Sequence, residues 1–248
     1  MLADARVGTS GFAYREWIGP VYPAGAAPEQ LLAYYARQLP AVEIAATSSR
    51  TLQAENLAAW SAAVPPGFQF ALKLPNRIAA ELRAVKAAGR ALGGFIEAAE
   101  ELGEHLGPIL VHLPADFPAD RAALGDFLRA APRGVRLAFE FSHPSWHEDA
   151  TLRVLSAHNA ALVLTDHGEG APRLELTADF AYVRIRREDD RPDAWAEWAE
   201  RLALLTRRGV DVYAFLKHDR KGLAVERALR LSTLLRNESA VSEQSLLT

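Results

Sequence analysis

The sequence contains no cysteine, and its only methionine is Met1. The absence of cysteine excludes disulfide bonds, a thiolate zinc site and a cysteine nucleophile. The chain also lacks an excess of positive charge, because 31 acidic residues outnumber 28 basic ones and give a formal net charge of −3. A general basic coat for nucleic acid is therefore excluded, although a local basic patch is not.

Long apolar runs are absent as well. No stretch approaches the roughly 18–20 apolar residues that a membrane-spanning helix requires. The first seven residues include Asp4 and Arg6 and have no apolar core of the kind found in a secretory signal. We therefore expect a cytoplasmic protein that does not bind membranes. Hydrophobic residues make up 50% of the 248 and charged residues 24%, which is typical of a globular protein with a sizeable core.

Short apolar runs rich in Val, Ile, Leu and Phe alternate along the chain with longer Ala- and Leu-rich segments, a pattern that predicts alternating strands and helices. The predicted strands are Arg6–Ser10, Val42–Thr47, Gln69–Leu74, Pro108–Leu113, Arg136–Phe141, Ala161–Thr165, Phe180–Arg186 and Val210–Leu216. The predicted helices are Glu29–Gln38, Leu52–Ala63, Glu81–Leu102, Ala119–Ala131, Asp149–His158, Ala194–Arg207 and Leu223–Leu235.

Eight strands in a chain of about 250 residues favour a single TIM-like (β/α)8 barrel of the α/β class over a doubly wound open sheet. No linker divides the chain. We expect one barrel domain over residues 1–236, followed by a flexible polar tail over residues 237–248.

Single polar residues stand between apolar neighbours in five of the predicted strands. Because side chains alternate along a strand, apolar neighbours that face the helices place these polar residues inside the barrel. The five are Glu43, Lys73, His112, Glu140 and Arg184. Lone buried charges cost several kcal/mol, roughly, so these groups must pair with one another or meet water.

Further polar residues follow the predicted strand ends. Asp166, Lys217 and His218 lie at the ends of strands six and eight, and Ser10, Gly11 and Tyr14 lie at or just after the end of strand one. Active sites of such barrels open at the carboxyl ends of the strands. We therefore expect all of these residues at one mouth. The alternative is an internal network of ion pairs, in which Glu43, Glu140 and Asp166 balance Lys73, Arg184 and Lys217 without chemistry.

A series of motifs carries a resemblance across nearly the whole chain. In order, they are Val7-Gly-Thr-Ser-Gly-Phe-Ala-Tyr14, Trp17, Val21-Tyr-Pro23, Tyr34-Tyr35 before Val42-Glu43, Phe70-Ala-Leu-Lys73, Leu106-Gly-Pro-Ile-Leu110, Ala138-Phe-Glu-Phe-Ser-His-Pro-Ser-Trp146, Tyr182-Val-Arg184 and Tyr213-Ala-Phe-Leu-Lys-His-Asp219. They resemble the YecE-like family, the domain of unknown function numbered seventy-two. The resemblance implies an eight-stranded barrel and the place of its site, but no assigned reaction.

The sequence departs from the family pattern around this centre. Ala45 replaces an Asn of the family, and Ser48 and Ser49 replace an aromatic pair. Where the family has Thr-His, this sequence has Ala79-Ala80, and where the family has His-Gly it has Arg186-Arg187. His112 replaces a Gln of the family and Ser142 replaces an Arg. The charged residues Glu43, Lys73, Glu140, Asp166 and Arg184 are retained. The charged centre is therefore kept while its periphery has changed.

The first functional hypothesis is an enzyme acting on a phosphate- or carboxylate-bearing small molecule. Arg184 would bind the anion through its planar guanidinium. Glu140 or Glu43 would be the general base, and Lys73 the general acid or the group that stabilises developing negative charge. A Lys73 Schiff base is less favoured because nearby carboxylates keep the amine protonated. Asp166 joins the catalytic set, and the predicted substrate contacts are Ser10, Gly11, Tyr14, His112, Lys217 and His218.

Two other hypotheses remain open. One is a metal-assisted phosphodiester hydrolase or nucleic-acid-binding protein, with His112, Glu140, Asp166 and His218 as ligands and a basic rim of Arg184, Arg186, Arg187, Lys217, Arg220 and Lys221. No His-x-His or HExxH spacing supports it, and we predict no metal and no cofactor. The other is a barrel that binds an anion without turning it over.

Overall fold

The computed structural model describes residues 3–45, 53–83, 85–166, 174–187 and 191–245. Its strands are β1 (Ala5–Ser10), β2 (Ala41–Ile44), β3 (Gln69–Lys73), β4 (Leu106–Leu113), β5 (Leu137–Phe141), β6 (Ala161–Asp166), β7 (Phe180–Ile185) and β8 (Asp211–Leu216). They close into a barrel in sequence order. The predicted TIM-like (β/α)8 barrel is therefore confirmed. Ser48 and Ser49, which bear on the family pattern, lie outside the described residues.

The described helices follow the strands along the chain, and the last of them comes after β8. They are α1 (Leu31–Ala36), α2 (Ala54–Ala63), α3 (Asn76–Ala80), α4 (Val85–Ala99), α5 (Arg121–Ala130), α6 (Asp149–Ala157), α7 (Pro192–Arg207) and α8 (Leu223–Ser245). None of the helices in the described part of the chain is both long and apolar enough to cross a membrane.

The predicted helix Glu81–Leu102 is divided in the structure. Short 3₁₀ turns at Glu81–Arg83 and Glu100–His105 flank α4, which continues through Gly93 and Gly94. A glycine within a helix costs only about 1 kcal/mol. Burial of Leu92, Phe95, Ile96 and Ala99 along one side of α4 offsets that cost.

The predicted end of the last helix at Leu235 is wrong. Helix α8 continues to Ser245, so residues 237–245, expected as a tail, are helical. The stretch is polar, but it contains neither glycine nor proline, the residues that most strongly end a helix. Polarity alone was a poor signal for the end of this helix.

The described chain clusters into two compact units, which we describe separately. The first unit contains β1, β7 and β8 with α1, α7 and α8, together with the amino-terminal half of β2 and the end of β6. The second unit contains β3, β4 and β5 with α2–α6, together with the rest of β2 and β6. Each unit has its own set of parallel strand pairs.

Strand alternation is directly visible in the second unit. The ring of Phe139 in β5 meets Phe127 of α5 edge-on, with centroids 6.2 Å apart. The ring of Phe70 in β3 stacks on Trp60 of α2 at 5.8 Å. These aromatic residues therefore face the helices, and the residues next to them in each strand point away from the helices.

A tyrosine hydroxyl joins β1 to β2 in the first unit. Tyr35 of α1 is fully buried. Its hydroxyl donates to the Ala41 carbonyl oxygen at 2.9 Å and accepts from the Thr9 backbone N–H at 2.8 Å. Burial raises the pKa of the Tyr35 phenol well above its usual range, so the hydroxyl keeps the proton that it donates. Strands β1 and β2 lie so close here that a Cβ at Gly8 would overlap the Ala41 carbonyl oxygen.

Replacing Tyr35 with Phe should lower the free energy of unfolding by about 2–4 kcal/mol, because the buried Thr9 N–H and Ala41 C=O each lose a partner. Urea unfolding followed by circular dichroism measures the change. Tyr34→Phe is the matched control, since the half-buried Tyr34 packs under Arg37; its effect should stay within about 0.5 kcal/mol. Equal effects of the two substitutions would contradict the role of the Tyr35 hydroxyl.

Candidate functional site

The second unit places three predicted site residues on one face of adjacent strands. Glu140 follows Phe139 in β5, and Lys73 ends β3, so both point away from the helices. His112 pairs in register with Glu140, and Lys73 with Leu110. The three side chains therefore share a face near the carboxyl ends of β3, β4 and β5, with Lys73 about one side-chain repeat deeper than His112.

A serine hydroxyl completes this group. Ser142 comes two residues after Glu140, and its Oγ lies 3.0 Å from His112 Nε2. The Ser142 backbone N–H donates to the Leu113 carbonyl oxygen at 3.0 Å, which fixes the end of β5 against the end of β4. Ser142 is exposed and His112 half-buried, whereas Glu140 is only 8% exposed. A hydroxyl and an imidazole are thus accessible above a buried carboxylate.

Glu43 also belongs to the second unit. It is fully buried, as are the other three residues of β2. Lys73 is half-buried at the end of β3. A buried carboxylate keeps its charge only where other groups compensate for the loss of water. Glu43 is therefore poorly placed to meet a substrate from solvent, while Lys73 is partly accessible.

Asp166 lies in a buried ion pair in the first unit. Its Oδ2 is 2.7 Å from Arg187 Nε, with the two side chains 0% and 3% exposed, and it accepts from Trp198 Nε1 at 2.7 Å. Trp198 belongs to α7, so the Asp166 carboxylate is directed towards the helix layer. The sequence predicted Asp166 as a catalytic residue and Arg187 as part of a basic rim. In the structure Arg187 is buried, and its guanidinium neutralises the Asp166 carboxylate.

Arg184 and Lys217 lie on the opposite side of the sheet in the first unit. The extended backbone continues past β7, because the Arg186 N–H donates to the Asp166 carbonyl oxygen at 2.8 Å. Arg187 is three residues beyond Arg184, so alternation directs Arg184 away from α7. Arg184 pairs in register with Phe215 of β8, and Lys217 is two residues further along the same face, about 7 Å along the strand. Arg184 is 7% exposed and Lys217 is exposed. The two cations are diagonal neighbours, one at the surface and one below it.

Tyr14 and His218 form a stacked pair in the first unit. Their ring centroids are 4.2 Å apart and the rings are nearly parallel, at 8°. The Tyr14 hydroxyl donates to the Ser10 carbonyl oxygen at 2.6 Å, and its ring also packs on Trp17 at 4.8 Å. Gly11 has a φ of +88°, and a Cβ there would overlap the Tyr14 hydroxyl. The predicted contacts Ser10, Gly11, Tyr14 and His218 are therefore brought together.

Loop anchors hold this pair in place. Trp17 Nε1 donates to the Asp219 carbonyl oxygen at 2.6 Å. The Asp219 carboxylate in turn accepts from the backbone N–H groups of Lys221, Leu223 and Ala224 at the start of α8, as an N-terminal capping residue does. The loops after β1 and β8 are thus tied together next to the Tyr14–His218 pair.

The sequence analysis missed three functional or structural partners. Ser142 was treated only as a departure from a family pattern, although its spacing of two residues from Glu140 places it on the same face. Trp198 and Tyr35 were not predicted to make polar contacts, and nothing in their spacing indicates the polar atoms that they reach. Among the described residues, no three carboxylate or imidazole groups lie close enough to hold a metal ion.

The comparisons with known proteins agree with the fold. The model of a protein family described as "Protein of unknown function DUF72" matches residues 6–247. The chain is similar to a DUF72 family protein from Thermotoga maritima, with 24% identity, a TM-score of 0.75 and coverage of 94% of this chain and 99% of that one. A DUF72 family protein from Enterococcus faecalis gives 19% identity, a TM-score of 0.70 and coverage of 94% and 98%. A comparison with curated proteins finds no match.

Replacing Asp166 with Asn should lower the free energy of unfolding by about 3–5 kcal/mol, because it removes the carboxylate charge with which the buried Arg187 guanidinium pairs. Chemical denaturation measures the effect. Asp193→Asn is the control, since Asp193 lies 3.8 Å from Arg191 in an exposed pair, and should cost less than about 1 kcal/mol. A stable Asp166→Asn variant would show that the pair is not a structural element.

Proposed function

The chain belongs to the DUF72 family, whose function is unknown. From its own residues, we propose that it is an enzyme that acts on a small phosphate- or carboxylate-bearing substrate by acid–base catalysis. The observation that carries this proposal is the diagonal pair of cations at the ends of β7 and β8, Arg184 and Lys217.

Arg184 and Lys217 support the anionic character of the substrate. The Arg184 guanidinium has a fixed fork of donors that matches carboxylate and phosphate oxygens. Its low exposure places it where water screens charge only weakly. Lys217 is exposed and can meet an incoming anion before Arg184 does. The combination favours a small anion over an extended polyanion, because one of the two cations is recessed.

His218 supports a site that contacts more than one part of a substrate. Its imidazole is half-buried and held by its stacking on Tyr14. Within the described part of the chain, neither ring nitrogen of His218 takes part in a hydrogen bond. A histidine oriented by stacking alone can offer both nitrogens to a ligand, as donor or acceptor.

The second unit supplies groups suited to proton transfer. Glu140 is recessed beside His112, its partner in register, so a carboxylate and an imidazole lie together near the ends of β4 and β5. Glu140 is proposed as the general base and Lys73 as the general acid or the group that stabilises developing negative charge. Glu43 is proposed to hold the charge balance of this unit, since it is fully buried.

A non-catalytic barrel that binds an anion is the second candidate, because Arg184 and Lys217 favour it equally. The metal-assisted hydrolase has no support from the described residues, in which Asp166, one of its four proposed ligands, already pairs with Arg187. A measurement of turnover therefore separates the enzyme from the non-catalytic barrel, and a measurement of anion binding tests the anion site that both require.

Inorganic phosphate and citrate should bind the protein in a calorimetric titration, and Lys217→Gln should weaken that binding about tenfold or more. A charge-assisted hydrogen bond contributes about 1.5–3 kcal/mol, and about 1.4 kcal/mol corresponds to a factor of ten. Lys221→Gln is the control, because Lys221 is an exposed lysine four residues away. The anion site would be contradicted if both variants weakened binding equally, or if neither anion bound the wild type.

A panel of phosphate monoesters and carboxylate-bearing substrates then tests catalysis. Glu140→Gln should reduce turnover at least about 100-fold, the usual contribution of a general base, while phosphate still binds. Wild-type protein that binds phosphate but converts no member of the panel would favour the non-catalytic barrel.

A further inference from the structure

We infer that Ser142 and His112 form a nucleophile–base pair, which gives the protein a covalent activity, the hydrolysis of carboxylic esters through an acyl-serine. The three residues that carry this activity, Ser142, His112 and Glu140, all lie in the second unit, and it does not require the cations Arg184 and Lys217. It differs from the proposed acid–base reaction in that the enzyme itself forms a bond to the substrate.

The distance between the reacting atoms fits this role. Ser142 Oγ and His112 Nε2 are 3.0 Å apart, within the roughly 2.6–3.2 Å that a serine nucleophile and its base require. A serine hydroxyl is a weak nucleophile unless a neighbouring base takes its proton. Histidine is the side chain whose ordinary pKa lies nearest to neutral pH, so its type suits His112 to the role of base.

The pair is both anchored and accessible. The Ser142 backbone N–H donates to the carbonyl oxygen of Leu113, the residue after His112, so the two side chains leave neighbouring strand ends that are hydrogen-bonded to each other. Ser142 is exposed and His112 half-buried. A substrate can therefore reach the hydrogen-bonded pair from solvent.

Glu140 supplies the third component. It lies on the same face as His112 and directly beside it, since the two residues pair in register, and it is 8% exposed. A recessed carboxylate next to the imidazole stabilises the imidazolium that forms when His112 takes the serine proton. The same negative charge disfavours a phosphate dianion at this position, so the structure favours a neutral acyl carbonyl as the group attacked.

The reaction requires only these side chains, the ester and one water molecule. Ser142 Oγ bonds to the carbonyl carbon while its proton moves to His112 Nε2. The carbon–oxygen bond to the alcohol then breaks, and the alcohol leaves with the proton from His112. A water molecule adds to the acyl-serine as His112 takes one of its protons. The bond between the acyl carbon and Ser142 Oγ then breaks, the carboxylic acid departs, and His112 returns its proton to Ser142 Oγ.

Diisopropyl fluorophosphate provides a direct test, because it labels activated serines and its fluoride leaves as the serine oxygen bonds to phosphorus. Intact mass spectrometry of the full-length protein should show one label per chain, and peptide mapping should place it on Ser142. Ser142→Ala should abolish the label. His112→Gln, which keeps a polar side chain without a base, should slow labelling at least about 100-fold.

Ser156→Ala is the matched control, since Ser156 is an exposed serine in α6; it should be labelled at the wild-type rate. Hydrolysis of p-nitrophenyl acetate should show a burst of one equivalent that is lost in Ser142→Ala. The inference would be overturned if the wild type takes no label, if the label lies on another residue, or if His112→Gln reacts as fast as the wild type. Phosphate binding measured on the same samples separates this outcome from failure of the anion site.

Discussion

Each side chain in a closed barrel of parallel strands has two directions open to it, towards the surrounding helices or away from them. Most side chains that face the helices are apolar, because the helices present apolar surfaces such as Phe127 in α5 and Trp60 in α2. A strand that carries Phe139 towards α5 therefore carries Glu140 the other way. The same rule places Lys73 and His112 with Glu140, and all of the chemistry considered above follows from that separation.

Polar groups that fall on the helix side need partners, and the structure supplies them. Asp166 meets Arg187 and Trp198, and Tyr35 satisfies Thr9 and Ala41. A buried ion pair adds little net stability compared with an apolar replacement, but the loss of one partner costs several kcal/mol, roughly. These contacts fix the strands in register, which in turn holds the polar groups on the other face in place.

The pattern of single polar residues between apolar ones was sufficient to predict the barrel and the direction of Lys73 and Glu140, because alternation depends only on local strand geometry. It was not sufficient for Asp166, which ends its strand and is directed by tertiary contacts with α7. The contact between His112 and Ser142 was also beyond the sequence, since it depends on the register of β4 against β5. Polarity alone likewise misplaced the end of α8, where no residue stops the helix.

The absence of cysteine makes the central claim directly measurable, because any introduced thiol is the only one in the chain. Single cysteines introduced at His112 and at the neighbouring Val111 of β4 test which side chain points away from the helices and which points towards them. The rate at which a thiol reagent labels each cysteine in the folded protein is measured. The account predicts that His112→Cys reacts at a rate near that of a free thiol, and that Val111→Cys, at a fully buried position, reacts only on unfolding. Equal rates, or faster labelling at position 111, would contradict it.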